Sequence, residues 1–172
     1  VSDPDSKNQT VKHVSKATVY KVSKTIYDAL RNPIIWENTK GDVDKLYKQA
    51  DTSYGHKLFL TVGKRIGLIV PKRGTGTRFV LNARLLRLLI VALSAGGRMT
   101  YDDFKLAAKA HFGLAFDEEG LGKAALWSMD TNIGSFGSAT DDWVVKMLEE
   151  AGALRRLSDS CALVENLAAP ER

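Results

Sequence analysis

The sequence predicts a mainly α protein with small β-hairpins, an α+β chain, and three observations predict it. Apolar residues recur three and four apart through most of the 172 residues. That period lapses twice, where short apolar runs flank turn residues: residues 65–70 with 79–81, and 153–157 with 161–165. In each half of the chain the helices come first and the hairpin last.

Residues 1–14 hold few apolar groups and read as a poorly ordered arm. Val19, Val22, Ile26 and Leu30 then place a helix at 15–31, closed by Pro33. Asp42, after Gly41, is an N-cap for a second helix over 42–51, with Val43, Leu46, Tyr47 and Ala50 inward. Residues 54–62 fit either a third helix or a strand. In the first hairpin, residues 71–77 (Pro-Lys-Arg-Gly-Thr-Gly-Thr) form a basic tip in which Gly74 and Gly76 allow positive φ.

Asn82 caps a helix running to about residue 94. Its Leu85, Leu86, Leu88, Leu89, Val91, Ala92 and Leu93 cover almost the whole circumference, which is the pattern of a helix buried between other elements. Gly96 and Gly97 end it. Thr100 and Asp103 resemble a capping box for a helix to His111. Asp117 caps another to about Met129, with Leu121, Ala125 and Met129 four apart. Residues 130–139, rich in Gly and Ser, read as a loop. Thr140 caps a last helix over 141–151, whose Trp143, Val144, Met147, Leu148 and Ala151 form one stripe, and Gly152 stops it. The second hairpin turns at 158–160.

Residues 140–166, above all Leu148-Glu-Glu-Ala-Gly-Ala-Leu-Arg-Arg-Leu-Ser-Asp, resemble the end of many winged-helix domains. There a final helix ends at Gly and runs straight into the hairpin wing. Residues 15–81 are similar to a looser version of the same plan. The resemblance is one of texture and covers most of the chain. It implies tandem winged-helix-like units, 15–81 and 82–172, sharing a buried central helix. It also implies a scaffold that binds nucleic acid or docks proteins.

Charge points to the first of these uses. Twenty acidic residues in 172 would place about six in any 50, yet residues 52–101 contain none. The same stretch carries Lys57, Lys64, Arg65, Lys72, Arg73, Arg78, Arg84, Arg87 and Arg98. Residues 1–80 hold 15 Lys and Arg against 7 Asp and Glu, a net of +8; residues 81–172 hold 10 against 13, a net of −3. An un-neutralised positive stretch attracts polyanions, and nucleic acid is the commonest in a cell. Lys72, Arg73 and Arg78 surround the hairpin tip as phosphate contacts. Lys57, Lys64 and Arg65 fall where the recognition element of the first unit belongs, and Arg84 and Arg87 extend the positive surface. Lys7, Lys12, Lys16, Lys21 and Lys24 make a second acid-free basic stretch, an arm along the backbone or an ordinary solvated terminus. In the second unit Asp141, Asp142, Glu149 and Glu150 outweigh Lys146 on the helix before the wing, leaving Arg155 and Arg156 as its favourable cations. That unit is expected to self-associate or dock a partner, with Trp127, Phe136 and Trp143 as anchors or as core.

Catalysis is poorly supported, and no cofactor or metal is expected. His13, His56 and His111 lack metal-ligand spacing, and Cys161 reads as a small apolar strand residue. The glycines of residues 73–78 lack the Gly-Lys-Ser/Thr ending of a phosphate loop. Asp102 with Asp103, and Asp117 with Glu118 and Glu119, sit at helix starts, where acids favour the dipole. One cysteine excludes an internal disulfide, and no segment spans a bilayer, so an intracellular, cytoplasmic setting is expected. The start lacks an initiator Met, consistent with a fragment or a trimmed chain. The reading is a non-enzymatic protein gripping duplex DNA mainly through phosphates; a protein adaptor whose basic half docks an acidic partner is the alternative, and a Mg-dependent nuclease the third.

Overall fold

Asn8 Oδ1 accepts a hydrogen bond from the Val11 amide at 3.1 Å and opens α1 (Gln9–Leu30). The computed structural model describes residues 1–5, 8–37, 40–71, 73, 76–95, 97–128, 141–158 and 161–167. After α1 come α2 (Pro33–Trp36), α3 (Val43–Ser53), α4 (His56–Ile66), β1 (Ile69–Val70) and β2 (Arg78–Phe79). The second half comprises α5 (Ala83–Leu93), β3 (Arg98–Thr100), α6 (Tyr101–Phe112), α7 (Glu118–Ser128), α8 (Asp142–Glu150), β4 (Leu154–Ser158) and β5 (Cys161–Glu165). The protein is mainly helical, with two small antiparallel sheets.

The caps follow the sequence. Asp42 Oδ1 accepts from Asp44 N and Lys45 N, and Asn82 Oδ1 from Leu85 N. Thr100 Oγ1 accepts from Asp103 N, and Asp117 Oδ1 from Gly120 N. Each satisfies an amide that the helix's own ladder leaves orphaned. Within residues 54–62, Tyr54 and Gly55 form a turn and 56–62 are helix, which runs on to Ile66; of the apolar run 65–70 only Ile69 and Val70 are strand. Lys64 and Arg65 therefore end α4 rather than enter a strand. Met129, the 130–139 loop, the Thr140 cap and Phe136 lie outside the described residues, as do Lys7, Lys72, Gly74 and Gly96.

Three expectations are corrected. The first concerns residues 1–14. Ser2 is buried and pairs in parallel with Val80, its amide donating to Phe79 O at 3.2 Å and its carbonyl accepting from Leu81 N at 3.1 Å. Val11 and Val14 are core. Counting apolar side chains missed the backbone pairing that anchors this segment to an open sheet edge.

The second concerns the helix over 82–94. Leu86, Leu89 and Ile90 of α5 are buried with Phe104 of α6 and Val144 and Leu148 of α8. Leu88 is 62% exposed and Val91 50% exposed, so α5 buries one face in the second half and is not a helix shared between two units. The helix that packs on elements from both halves of the chain is α1. One of its sides packs on β2 and another on α7, where Val11 and Val14 meet Leu121 and Ala125 in a separate cluster.

The third concerns the second sheet, which has three strands in the order β3-β5-β4. The short triplet Arg98-Met99-Thr100 gives no strand signal on its own; its register against β5 (Thr100↔Leu163) creates the strand. The start of α8 is tied to α6 by polar contacts. Lys105 Nζ lies 3.2 Å from Asp102 Oδ1 and 3.1 Å from Asp141 Oδ2, and Tyr101 donates to Asp141 Oδ2 at 3.0 Å. Burial, then the Asp141 charge, hold the Tyr101 phenol protonated well above its ordinary range.

The two faces of α5 carry a direct test. Leu86 is fully buried, so Leu86→Ala should lower unfolding free energy by about 2–5 kcal/mol. Leu88→Ala, on the exposed face, should change it by no more than about 0.5 kcal/mol. Urea denaturation of both variants checks the assignment of faces.

Candidate nucleic-acid interface

The orientation of α4 follows from a glycine. A Cβ at Gly63 would lie 2.5 Å from Ile69 Cδ1, so only glycine lets α4 approach β1 this closely. The opposite face of α4 is thereby turned to solvent. It carries Lys57, Thr61 and Arg65 in one row and Leu58, Val62 and Ile66 in the next. Gly67 ends the helix at φ +79°, and its carbonyl accepts from Asn82 Nδ2 at 3.0 Å. That bond brings the end of α4, with Lys64 and Arg65, to the start of α5, with Arg84.

Lys57, Arg65, Arg73, Arg84, Arg87 and Lys16 are exposed, and Lys64 is half-buried. Arg84 and Arg87 share the outward face of α5 with Leu88 and Val91. Among the described residues none of these seven cations pairs with a carboxylate. Three other candidates stand differently. Arg78 is half-buried and donates to the Pro4 carbonyl at 3.2 Å, which fastens the N-terminal segment. Lys24 is exposed but lies 2.6 Å from Asp28 Oδ2, which raises its pKa and neutralises it locally. Lys72 lies outside the described residues.

The second half contrasts. Lys123 pairs with Glu119, Lys146 with Glu150 at 3.9 Å, Arg155 with Glu165 at 3.9 Å and Arg156 with Glu149 at 2.8 Å. The outward face of α8 presents Asp142, Glu149 and Glu150. Helix starts follow a similar division except at α3, whose first turn holds Asp44 after the Asp42 cap. The first turns of α1, α4 and α5 hold no acid, whereas α6 begins with Asp102 and Asp103, α7 with Glu118 and Glu119, and α8 with Asp142. The positive ends of α4 and α5 are thus left uncompensated, within the acid-free stretch 52–101 to which both helices belong.

One polar cluster gave no sequence signal. Arg31 Nη1 and Nη2 donate to Asp51 Oδ1 and Oδ2 at 3.1 and 2.8 Å, a bidentate pair on a buried carboxylate. His56 Nδ1 lies 3.3 Å from Asp51 Oδ1, and the Tyr27 ring sits 3.3 Å below the Arg31 guanidinium carbon. These residues come from the end of α1, the end of α3 and the start of α4, and only the fold joins them. Their role is to fix α4 against α1. Trp143 packs against Phe116 in the core, Trp127 is half-exposed, and Cys161 is half-buried in β5.

Among the described residues, no group of three or more His, Cys, Asp or Glu could hold a metal ion, and no helix is long and apolar enough to cross a membrane. No family model matches the chain, and no curated protein or solved structure matches it.

The Asp51 cluster predicts a pH dependence. Hydrogen bonds from Arg31, then its charge and that of His56, hold the Asp51 carboxyl below its ordinary value of 3.8. A carboxylate depressed in this way stabilises the fold at every pH above the ordinary value, and the contribution fades as pH falls through the depressed one. With solvent screening of the partly exposed Arg31, Asp51→Asn should cost on the order of 1–2 kcal/mol at pH 7. Urea titrations should show the gap to wild type narrowing below pH 3.8.

Proposed function

We propose that the protein binds duplex DNA through phosphates, using the outward face of α4, the tip of the first hairpin and the start of α5. The observation that carries the reading is a set of exposed cations left without carboxylate partners among the described residues, Lys57, Arg65 and Arg73 with Arg84 and Arg87 on α5, whereas the cations of α7, α8 and the second hairpin pair with carboxylates. Phosphate oxygens take roughly half to two-thirds of protein–DNA hydrogen bonds, and free Lys and Arg are their usual donors. The hydrogen bond from Asn82 to Gly67 supports a continuous surface from α4 to α5.

The winged-helix reading applies best to the second half. Helix, strand, two helices, a further helix and a hairpin follow in order, with the first strand pairing beside the last. The acids on α8 argue against DNA on that helix, and the part of the second half beyond α5 serves instead for self-association or for docking a partner. The first half departs further from the plan, because its extra strand-like segment, Ser2, precedes α1 instead of following it. The adaptor reading has one observation in its favour: Leu58, Val62 and Ile66 form a half-exposed apolar row beside Lys57 and Arg65. Such a row suits an acidic amphipathic segment better than a phosphate backbone.

Salt dependence separates the two. Each neutralised phosphate adds about 0.9 to the slope of log K against log salt. Lys57→Ala with Arg65→Ala should weaken binding to random-sequence duplex and flatten that slope by about 1–2. Arg155→Ala with Arg156→Ala should leave both unchanged. Gel-shift titrations at several salt concentrations measure this, and a wild-type protein that fails to bind any duplex at low salt rejects the DNA reading in favour of the adaptor.

A further inference from the structure

Between α1, the first hairpin and the α6–α7 connection lies a cavity of about 580 Å³. Val14 and Thr18 of α1, Phe59 of α4, Phe79 of β2 and Leu121 of α7 form its walls. The two hydroxyls nearest these walls are already engaged: Thr18 Oγ1 donates to Val14 O at 2.8 Å and Ser15 Oγ to Phe79 O at 2.7 Å. Val1 and Ala115 also line it, with the Val1 nitrogen donating to the Ala115 carbonyl at 3.3 Å, and the rest of the lining is mostly apolar. The mouth differs. Phe112 is 51% exposed and Trp127 49% exposed, and Lys109 and Lys123 stand beside them. Glu119 pairs with Lys123, and the Lys109 charge also acts on that carboxylate and helps lower its pKa, so two ammonium groups share one acid.

We propose that this cavity is a binding site for an apolar carboxylate, an acyl or aryl acid, with its hydrocarbon inside and its carboxylate on Lys109. The volume falls within the range of about 300–1,000 Å³ typical of small-molecule sites, which are mostly apolar with few polar groups. Half-exposed aromatic rings suit a boundary where one end of a ligand is dry and the other wet. Lys109 and Lys123 share one Glu119 carboxylate at that boundary, and the positive charge left over selects an anionic head over a neutral one. The site is independent of the DNA reading, because it uses none of the cations on α4 or α5.

Dodecanoate, 2-naphthoate and dodecanol are the probes, titrated calorimetrically into the full chain alongside thermal melts. At least one acid should bind saturably at one site and raise the melting temperature, and the acid that does so distinguishes an acyl from an aryl ligand. Lys109→Gln should weaken the bound acid by about tenfold, the loss of one charge-assisted contact, and leave dodecanol unaffected. Ala124→Phe, from a half-buried wall position, should abolish binding with the circular dichroism spectrum retained. Should that variant unfold, the acid-against-alcohol contrast in Lys109→Gln decides alone. No saturable binding of either acid, or an acid affinity untouched by Lys109→Gln, overturns the proposal.

Discussion

Helix α1 is buried on two sides at once, and most of the molecule takes its position from that. Ser15 near its start donates to the Phe79 carbonyl at 2.7 Å, and the same oxygen accepts from Ser2 N at 3.2 Å and Ser2 Oγ at 3.0 Å. One carbonyl thus gathers the N-terminal segment, α1 and β2. On another side Val11 and Val14 are sealed by Leu121 and Ala125 of α7. Burying a branched apolar side chain on each side contributes roughly 1.5–3 kcal/mol apiece, so a helix with little apolar content at its N-terminal end is held by tertiary contacts rather than by propensity. At its far end Arg31 and Asp51 fix α3 and α4. The direction of α4, and with it the exposure of Lys57 and Arg65, depends on this chain of contacts.

The separation of charge has a simple physical origin. Several of the ion pairs are local, three or four residues apart on one helix: Lys24–Asp28, Lys105–Asp102, Lys123–Glu119 and Lys146–Glu150. Pairs at that spacing form because helical geometry sets the side chains side by side. In a stretch of 50 residues without an acid, such pairing is impossible, and only long-range partners could neutralise the cations. Among the described residues Arg78 makes a long-range tie, to Pro4, and it goes to a carbonyl instead of a carboxylate. A compositional property becomes a surface property because the commonest route to neutralisation is closed.

Much of the architecture was legible from local chemistry. Asp42, Asn82, Thr100 and Asp117 cap the helices the sequence assigns to them, because a cap needs only an oxygen acceptor two or three residues from an orphan amide. The stripe on α8 and the second hairpin were readable for the same reason, as periods of 3.6 and 2 within a few residues. The cations on α4 and α5 were legible as residue types, but which of them face solvent unpaired was not.

What needed the tertiary structure was pairing across distance. An apolar circumference on α5 predicted burial on all sides, but periodicity cannot say how many neighbours a helix has, and Leu88 and Val91 remain exposed. The strand at Arg98–Thr100 exists only through β5, 60-odd residues on. Ser2, Arg31 with Asp51, and the α1–α7 contact join positions whose separation carries no local signal. The sequence by itself determined the helices, their caps and the acid-free positive stretch, all of which follow from neighbours along the chain. The fold decided which helix is shared, which cations stay free and where a cavity opens, because each depends on surfaces that meet only after long loops close.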